Sequence, residues 1–382
     1  MIPYGRQDIR PEDVDAVVEV LGSDFLTQGP AVPRFEDAVA RATGAAHAVA
    51  VNSATSALHI ACLALDLGPS DRLWTSPITF VASANCARYC GAEVDFVDID
   101  PATANMCPDR LAEKLAAAAA AGTLPKILVP VHLAGLSCDM ASIGQLARRY
   151  GVRVIEDAAH AIGGSYDGVP VGACAHSDIA VFSFHPVKIV TSGEGGMAVT
   201  QDARLAARME RLRSHGMTRD PAQMTREPDG PWYYQQIELG WNYRMTDIQA
   251  ALGAAQMNRL AAYVARRNEL ARRYDWLLSG LPLVRAGRAA RSVSSFHLYV
   301  VRVEAGRHRK VFEGLRRRGI GVNLHYIPVH LQPYYAALGF HGGDFPEAER
   351  YYSEAISLPI FPAMTEAMQD QVVAALTAEL AA

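Results

Sequence analysis

One lysine lies in the stretch FSFHPVKIVTSGEGG, residues 182–196, where an apolar run meets a glycine-rich turn. Lys188 has an apolar residue on each side. Desolvation there disfavours the charged ammonium, so the pKa falls and the free amine becomes a nucleophile. The glycines permit a tight turn and a close approach of the backbone to a ligand. We predict a chemical role for Lys188; a loop lysine that reaches toward solvent is the alternative.

A carboxylate and an imidazole precede this lysine. Asp157 ends the apolar run VRVIED, and His160 follows three residues later. Ligands of open α/β sheets bind beyond the carboxyl ends of strands, and a buried carboxylate needs a partner. Asp157 is therefore a candidate ligand-binding residue. Capping of the next segment by Asp157 and a structural role for His160 are the alternatives.

A third candidate site is the stretch NSATSALHI, residues 52–60, where a strand meets a helix. Ser53, Thr55 and Ser56 open the helix. Free amide groups and the helix dipole make such a corner suitable for phosphate. Simple N-capping by Ser53 needs no ligand and is the alternative.

Together, a phosphate corner, an aspartate at a strand end, Ser183 and Lys188 match the needs of pyridoxal 5′-phosphate. The lysine amine binds this cofactor covalently, and the aspartate keeps the pyridine nitrogen protonated, which makes the ring an electron sink. The corner and Ser183 hold the phosphate. We predict this cofactor, with its pyridoxamine form as the intermediate carrier of the amino group.

The elements that position these residues follow from the alternation of short apolar runs with helical patterns. Up to about residue 254 the pattern predicts an α/β fold with a mostly parallel, doubly wound sheet. Residues 255–382 predict a smaller α+β domain. In detail, we expect a first helix from Pro11 with Val14, Val17, Val18 and Leu21 on one face, and one long helix over residues 255–280. A strand is expected over residues 320–326 and a helix over 346–359.

Composition excludes several classes of function. The formal net charge is −4, and no tract of Lys or Arg marks a nucleic-acid surface. The six cysteines form no C-x-x-C pair, so we expect no metal site, and reduced thiols are typical of the cytoplasm. We expect no secretory signal and no membrane span.

Four segments carry a resemblance to a known family: NSATSAL, EDAAHA, FSFHPVKIVTSGEGG and GWNYRMTDIQAALG. They resemble the DegT/StrS-type nucleotide-sugar aminotransferases, which are pyridoxal-phosphate enzymes of fold type I. The resemblance covers nearly the whole chain. It implies a large cofactor-binding domain over residues 1–254, a small domain over 255–382, and a homodimer with shared active sites.

The resemblance also implies a role for individual residues. Lys188, Asp157 and His160 would be catalytic. The cofactor would be held by those three residues together with Ser53, Ala54, Thr55, Phe80, Ser183 and Asn242. Phe80 would stack on the ring, and Asn242 would reach the site of the neighbouring subunit.

Further segments, among them FLTQGP, SHGMTRD and NLHYIPVHLQPYY, resemble family members that serve pseudaminic acid biosynthesis. The implied reaction moves an amino group from L-glutamate to a UDP-linked 4-keto-6-deoxy-N-acetylhexosamine. The residues implied in substrate binding are Tyr4, Asp24, Phe25, Leu26, Thr27, Ala54, Ser183, Asn242, His325, Tyr326, Ile327 and Pro328. Two features depart from the family: Trp241 replaces a Tyr or Phe, and residues 218–239 form a long proline-rich segment that we interpret as a loop near the site.

Other functions stay open at this point. Another nucleotide-linked keto sugar is an alternative acceptor. A sugar dehydratase of the same fold carries histidine in place of the lysine, so Lys188 argues against it. A non-enzymatic regulator of the same fold is a further alternative, although no helix-turn-helix is visible. A Rossmann dehydrogenase is excluded because no G-x-G-x-x-G follows a first strand.

Overall fold

The computed structural model of the chain describes residues 1–382. The helices are Pro11–Leu21 (α1), Ala31–Thr43 (α2), Ala54–Ala64 (α3), Ala82–Tyr89 (α4), Pro108–Ala121 (α5), Met140–Tyr150 (α6), Ala203–Arg213 (α7), Asp247–Met257 (α8), Leu260–Leu277 (α9), Ala305–Arg317 (α10), Pro333–Ala336 (α11), Pro346–Glu354 (α12) and Glu366–Ala381 (α13).

The strands are His47–Val51 (β1), Arg72–Thr75 (β2), Glu93–Phe96 (β3), Ile127–Val129 (β4), Arg153–Asp157 (β5), Ser165–Tyr166 (β6), Val169–Pro170 (β7), Ile179–Ser183 (β8), Gly196–Thr200 (β9), Met217–Thr218 (β10), Gln235–Gln236 (β11), Ser292–Val293 (β12), Tyr299–Arg302 (β13) and Ala355–Leu358 (β14).

A seven-stranded sheet forms the centre, in the order β1-β9-β8-β5-β4-β2-β3. The neighbours from β3 to β8 pair in parallel, whereas β9 pairs antiparallel with both β8 and β1. The predicted α/β class with a mostly parallel sheet is thus confirmed. Because only β9 is reversed, the carboxyl ends of β1, β5 and β8 meet at one edge of the sheet.

Helices cover both faces of this sheet. Along β8, Ile179 and Val181 belong to the core under α3, whereas Ala180 and Phe182 belong to the core under α2 and α8. Every residue of β8 is buried, as expected for a central strand between two helical layers. A rigid strand therefore leads directly into the lysine segment.

The C-terminal part has a core of its own, built from α9, α10, α13, β13 and β14, which Ile2 joins from the N-terminus. β13 and β14 pair antiparallel. The domain boundary near residue 255 stays a prediction. No helix in the chain combines the length and the apolar character needed to cross a membrane.

The single helix expected over residues 255–280 is wrong. The chain forms α8 and α9, separated at Asn258 and Arg259, where Arg259 leaves helical geometry with φ −110° and ψ 5°. At this break the Arg259 guanidinium reaches the fully buried carboxylate of Asp13 at 2.5 Å. Buried positions recur at spacings of three and four residues across the break, as at Gly253, Met257 and Leu260, so periodicity alone did not reveal it.

Two C-terminal predictions also differ. Residues 320–326 form no strand and make only isolated bridges, from Ile320 to Ile2 and from Asn323 to Ser357. Close contact between Gly321 and the N-terminal backbone holds this segment instead of a ladder. The helix expected over residues 346–359 ends at Glu354, and β14 follows it directly over Ala355–Leu358. All four residues of β14 are buried, so pairing with β13 outweighs their helical pattern.

Helix α1 has the predicted start, and the Arg10 amide donates to the carboxylate of Asp13 at 2.9 Å. Its predicted apolar face, however, is largely exposed in the single chain, since Val14, Val18 and Leu21 face solvent and only Asp13 and Val20 are buried. The proline-rich segment 218–239 is mostly loop, with the short pair β10–β11 at its ends.

Candidate active site

Lys188 lies in the turn that joins β8 to β9. Its amide donates to the carbonyl of His185 at 2.9 Å, and Ser192 closes the turn by donating to the carbonyl of Phe184 at 2.9 Å. Burial lowers the pKa of the Lys188 amine to about 8, and the negative charge of Asp157 limits the shift. A substantial neutral fraction of this amine is thus available near neutral pH.

Asp157 is the last residue of β5 and is only 6% exposed. Its Oδ2 accepts a hydrogen bond from the hydroxyl of Ser83 at 2.5 Å, and its Oδ1 accepts one from the amide of Ala159 at 3.1 Å. The Ser83 hydroxyl also lies 2.7 Å from that of Thr79. The carboxylate is therefore held in one orientation at the carboxyl edge of the sheet.

His160 has a partner on each ring nitrogen. Nδ1 accepts from the amide of Ala134 at 3.3 Å, and Nε2 lies 3.1 Å from the hydroxyl of Tyr326. Burial, followed by the positive charge of Lys188, holds the pKa of His160 well below its usual range. Since Nδ1 is an acceptor in a neutral ring, Nε2 carries the proton and donates a hydrogen bond to the Tyr326 hydroxyl.

Two further histidines flank this pair. The ring of buried His297 lies 4.4 Å from that of His160. His325 lies 2.8 Å from the hydroxyl of Ser357, and burial followed by the charge of Lys188 lowers its pKa to about 4. Tyr4 packs on His325 at 5.5 Å. The structure thus brings Tyr4, His325 and Tyr326 together with His160.

The phosphate corner forms where β1 meets α3. Ser53 caps α3 by accepting from the amide of Ser56 at 3.1 Å, and the amides of Ala54 and Thr55 lie in the first turn, where a helix offers free donors. Gly196, opposite Ser183 in the sheet, passes so close that a Cβ atom would lie 2.4 Å from the Ser53 carbonyl carbon. Ser53, Ala54 and Ser183 therefore share one corner.

Phe80 stands at the rim of this group. Its side chain is 58% exposed, and its ring lies 6.2 Å from that of Tyr326. Ile327 and Pro328, which follow Tyr326 and belong to the predicted pocket, lead into a short helical turn. The amide of Val329 in this turn donates to the carbonyl of Pro77. An exposed aromatic ring beside a polar site is available to stack on a planar ligand.

The remaining predicted residues do not join this group within one chain. Residues 24–27 bind instead to Thr246 and Asp247, through a bridge at Thr27 and a hydrogen bond to the carbonyl of Leu26. Asn242 pairs with Ser214. No hydrogen bond joins Asn242 or residues 24–27 to Lys188, Asp157 or His160.

Sequence reasoning missed two residues of the site. Ser83 lies inside a helical pattern, 74 residues from the carboxylate that it contacts. His297 precedes β13 in an apolar run, and only the fold brings it to His160. Ser83 falls within TSPITFVASAN, a segment that carries part of the family resemblance, but no local pattern assigns a role to Ser83 or to His297.

The donor set fits pyridoxal phosphate. A helix corner with free amides and a glycine that leaves no room for a side chain suits a phosphate. The fixed Asp157 carboxylate suits a protonated ring nitrogen, and the desolvated Lys188 suits an aldehyde. No group of three or more His, Cys, Asp or Glu side chains has the geometry of a metal site.

Comparison with known proteins agrees with this assignment. The model of the DegT/DnrJ/EryC1/StrS aminotransferase family matches residues 7–377. SpsC of Bacillus subtilis strain 168, described as a spore coat polysaccharide biosynthesis protein, is 40% identical over 382 aligned residues that cover 98% of this chain and 96% of SpsC.

Solved structures are similar over the whole chain. Spr1654 of Streptococcus pneumoniae, named as a sugar aminotransferase, superimposes in its pyridoxamine-phosphate form with a TM-score of 0.91 at 28% identity, covering 100% of this chain and 99% of Spr1654. Its pyridoxal-phosphate form is also known. PseC of Helicobacter pylori, an aminotransferase of pseudaminic acid biosynthesis, gives a TM-score of 0.90 at 30% identity, covering 100% of this chain and 99% of PseC. The chain therefore belongs to the DegT/DnrJ/EryC1/StrS family of pyridoxal-phosphate-dependent sugar aminotransferases.

Proposed function

We propose that this enzyme transfers the amino group of L-glutamate to carbon 4 of a UDP-linked 4-keto-6-deoxy-N-acetylhexosamine. The product is a UDP-4-amino-4,6-dideoxy sugar, as pseudaminic acid biosynthesis requires. The observation that supports this acceptor is the similarity to PseC, at 30% identity over the full length of both chains. Tyr4, residues 24–27 and residues 325–328 form the sugar-nucleotide pocket in this proposal.

Pyridoxal phosphate, when bound, supplies a ring that accepts electrons and a carbon that carries the amino group between the two substrates. Lys188 moves the proton: its amine accepts the α-proton of the amino donor and later donates the proton that the amino-bearing sugar carbon gains. An amine whose pKa is about 8 serves in both directions, since both of its protonation states are populated near neutral pH.

The neighbours of Lys188 have positioning and binding roles. Asp157, fixed by Ser83, presents a negative charge to the ring nitrogen of the cofactor. Neutral His160 orients Tyr326 through its Nε2 proton. The α3 corner and Ser183 anchor the phosphate. Each of these groups is in place before substrate arrives, so little reorganisation accompanies the reaction.

The acceptor is tested with a substrate panel on the purified holoenzyme. UDP- and dTDP-linked 4-keto and 3-keto sugars are offered with L-glutamate, L-glutamine or L-aspartate, and the amino sugar and the keto acid are measured together. We expect kcat/KM to be highest for the UDP-linked 4-keto-6-deoxy-N-acetylhexosamine with glutamate. A clear preference for a dTDP-linked sugar would replace this acceptor by the second candidate, another nucleotide-linked keto sugar.

The second candidate has support of its own. Identity to SpsC, a protein of spore coat polysaccharide biosynthesis, is 40% and thus exceeds the identity to PseC. The catalytic group around Lys188 serves either acceptor equally. Only the residues of the sugar-nucleotide pocket discriminate between the two acceptors, and the substrate panel measures this discrimination as a ratio of kcat/KM values.

The role of Lys188 is tested by Lys188→Ala, for which we expect turnover to fall by at least about 100-fold through loss of acid–base catalysis. Lys126→Ala is the matched control, since Lys126 pairs with Asp71 away from the site. Turnover of Lys188→Ala at the wild-type rate is incompatible with the proposed mechanism.

We also propose an active homodimer in which Asn242 completes the site of the neighbouring chain. The exposed apolar side chains Val14, Val18 and Leu21 of α1 support an interface. Mixing inactive Lys188→Ala with inactive Asn242→Ala restores one intact site in each mixed dimer. Random exchange of subunits then gives about a quarter of the wild-type activity, and no recovery of activity argues against active sites shared between subunits.

We place the reaction in the cytoplasm, since all six cysteines are free thiols.

A further inference from the structure

One connector, residues 241–247, touches three parts of the site. The carbonyl of Tyr243 accepts from the amide of Asn52 at 2.8 Å, immediately before the phosphate corner. Buried Met245 packs on the lysine turn so closely that a Cβ atom on Gly195 would lie 2.5 Å from its Cε. The connector ends at Asp247, whose contacts are not explained by the roles described above.

Asp247 is fully buried and binds the backbone of a segment more than 200 residues away in sequence. Its Oδ2 accepts from the amide of Gly29 at 2.8 Å, and its Oδ1 accepts from the amide of Ala31 at 2.8 Å. Its own amide donates to the carbonyl of Leu26 at 3.0 Å. Three hydrogen bonds of one residue therefore fasten residues 26–31.

The carboxylate is compensated by backbone dipoles alone. Asp247 is the first residue of α8, and Ala31 is the first residue of α2, so two positive helix ends meet at the carboxylate. Both hydrogen bonds of the carboxylate come from backbone amides. A fully buried charge of this kind is costly, and its loss leaves the amides of Gly29 and Ala31 without partners.

Residues 26–31 are tightly packed and have little conformational freedom. Gln28 is held at a positive φ of 56°, and a Cβ atom on Gly29 would lie 2.4 Å from Cβ of Phe25 and 3.0 Å from Oδ1 of Asp247. Phe25 and Leu26 nevertheless stay 52% and 49% exposed. The segment thus presents two apolar side chains outward from a rigid turn, as a recognition surface requires.

We infer that Asp247 is a specificity-positioning residue, which sets the acceptor-side segment 24–27 against the connector that carries Asn242. It acts on the sugar-nucleotide half of the reaction and leaves the amino-donor half alone. This inference rests on the proposed function, because it takes residues 24–27 as part of the sugar-nucleotide pocket.

The test uses the holoenzyme of two variants that loosen the segment from opposite sides. Asp247→Asn keeps the size of the side chain but removes the charge and one acceptor, and Gly29→Ala inserts a methyl group between Phe25 and Asp247. Asp202→Asn is the matched control, since Asp202 caps α7 by accepting from the amide of Arg204 at 2.8 Å, away from the site.

For both variants we expect an unchanged cofactor spectrum and a glutamate half-reaction whose rate stays within about twofold of wild type. In contrast, KM for the best keto-sugar acceptor should rise about tenfold or more. This rise corresponds to the loss of about one charge-assisted hydrogen bond. Calorimetric UDP binding should weaken in parallel. Hydrogen exchange at the amides of Gly29 and Ala31 should be faster in Asp247→Asn, and Asp202→Asn should change none of these quantities.

A merely structural role would slow both half-reactions together, and that outcome overturns the inference. An unchanged acceptor KM in Asp247→Asn despite faster exchange at Gly29 also overturns it. A different result would contradict the proposed function: the wild-type enzyme would transfer no amino group to any nucleotide-linked keto sugar. The inference is therefore tested by the ratio of the acceptor KM in the variants to that in wild type, whereas the proposed function is tested by the activity of the wild-type enzyme.

Discussion

The Nε2 atom of His160 lies 3.1 Å from the hydroxyl of Tyr326, although 166 residues separate the two in sequence. The Ala134 amide fixes the tautomer from the other side of the ring. Burial raises the pKa of Tyr326, so its hydroxyl stays neutral and accepts the hydrogen bond from His160 Nε2–H. This contact joins the large sheet to the segment that follows residue 320.

Tyr326→Phe removes the acceptor of the His160 proton while it keeps the ring. We expect a loss of about 1 kcal/mol in the free energy of unfolding and a fall of about tenfold in the glutamate half-reaction, because His160 and its ring partners lose their orientation. Urea unfolding and stopped-flow absorbance measure these quantities. Tyr334→Phe, which removes an exposed hydroxyl near Arg88, is the control and should change neither.

The desolvated amine of Lys188 predicts a pH dependence for cofactor uptake by the apoprotein. Only the neutral amine attacks an aldehyde, and burial lowers the pKa of Lys188 to about 8. The rate at which the visible absorbance appears should therefore rise with pH below about 8 and level off above it.

Asp157→Asn shifts this profile in a defined direction. The Asp157 charge raises the pKa of Lys188 against the effect of burial, so its removal should move the midpoint to lower pH. A midpoint that moves upward, or that stays near the value of about 10.4 for a free lysine in both proteins, contradicts this account of the site.

Ser83 provides the missing support for Asp157. Ser83→Ala removes the 2.5 Å hydrogen bond to Oδ2, so the carboxylate loses its fixed orientation. We expect about tenfold weaker cofactor binding, measured by dialysis and absorbance. Ser137→Ala removes another buried hydroxyl, which donates to the carbonyl of Cys138, and should leave cofactor affinity unchanged.

The other side of β5 carries a buried pair that stabilises the same strand end. His132 Nε2 lies 2.7 Å from Glu156, which also accepts from Ser177 at 2.5 Å. Burial would raise the pKa of Glu156, but contact with His132 lowers it below the ordinary value of 4.5. His132→Ala should cost about 3–5 kcal/mol of unfolding free energy, because a buried carboxylate loses its main partner.

The sign of the pH effect follows from that lowered pKa. The contribution of Glu156 is present above about pH 4.5 and is lost as the pH falls through its folded-state pKa, so the difference between wild type and His132→Ala should shrink in acid. Urea unfolding at pH 7 and pH 4 measures this. Arg72→Ala removes an exposed ion pair with Glu93 and should cost less than about 1 kcal/mol at either pH.

Local sequence patterns were sufficient to predict the strands that lead to the site residues. Asp157, Ser183 and Lys188 each end or follow an apolar run, and in a mostly parallel sheet the carboxyl ends of such runs meet at one edge. The same reasoning failed after residue 255. The break between α8 and α9 depends on a contact between Arg259 and Asp13, and β14 depends on pairing with β13, and neither contact is local in sequence.

The sequence by itself therefore determined the chemistry of the site: which residues end strands, which lysine is surrounded by apolar residues, and where a helix offers free amides. These properties depend on neighbours a few positions away. Only the tertiary structure decided how those groups are held, through Ser83 on Asp157, His297 on His160 and Asp247 on residues 26–31. The physical reason is that a hydrogen bond or a ring contact depends on distance in space, and chain folding sets that distance between residues far apart in sequence.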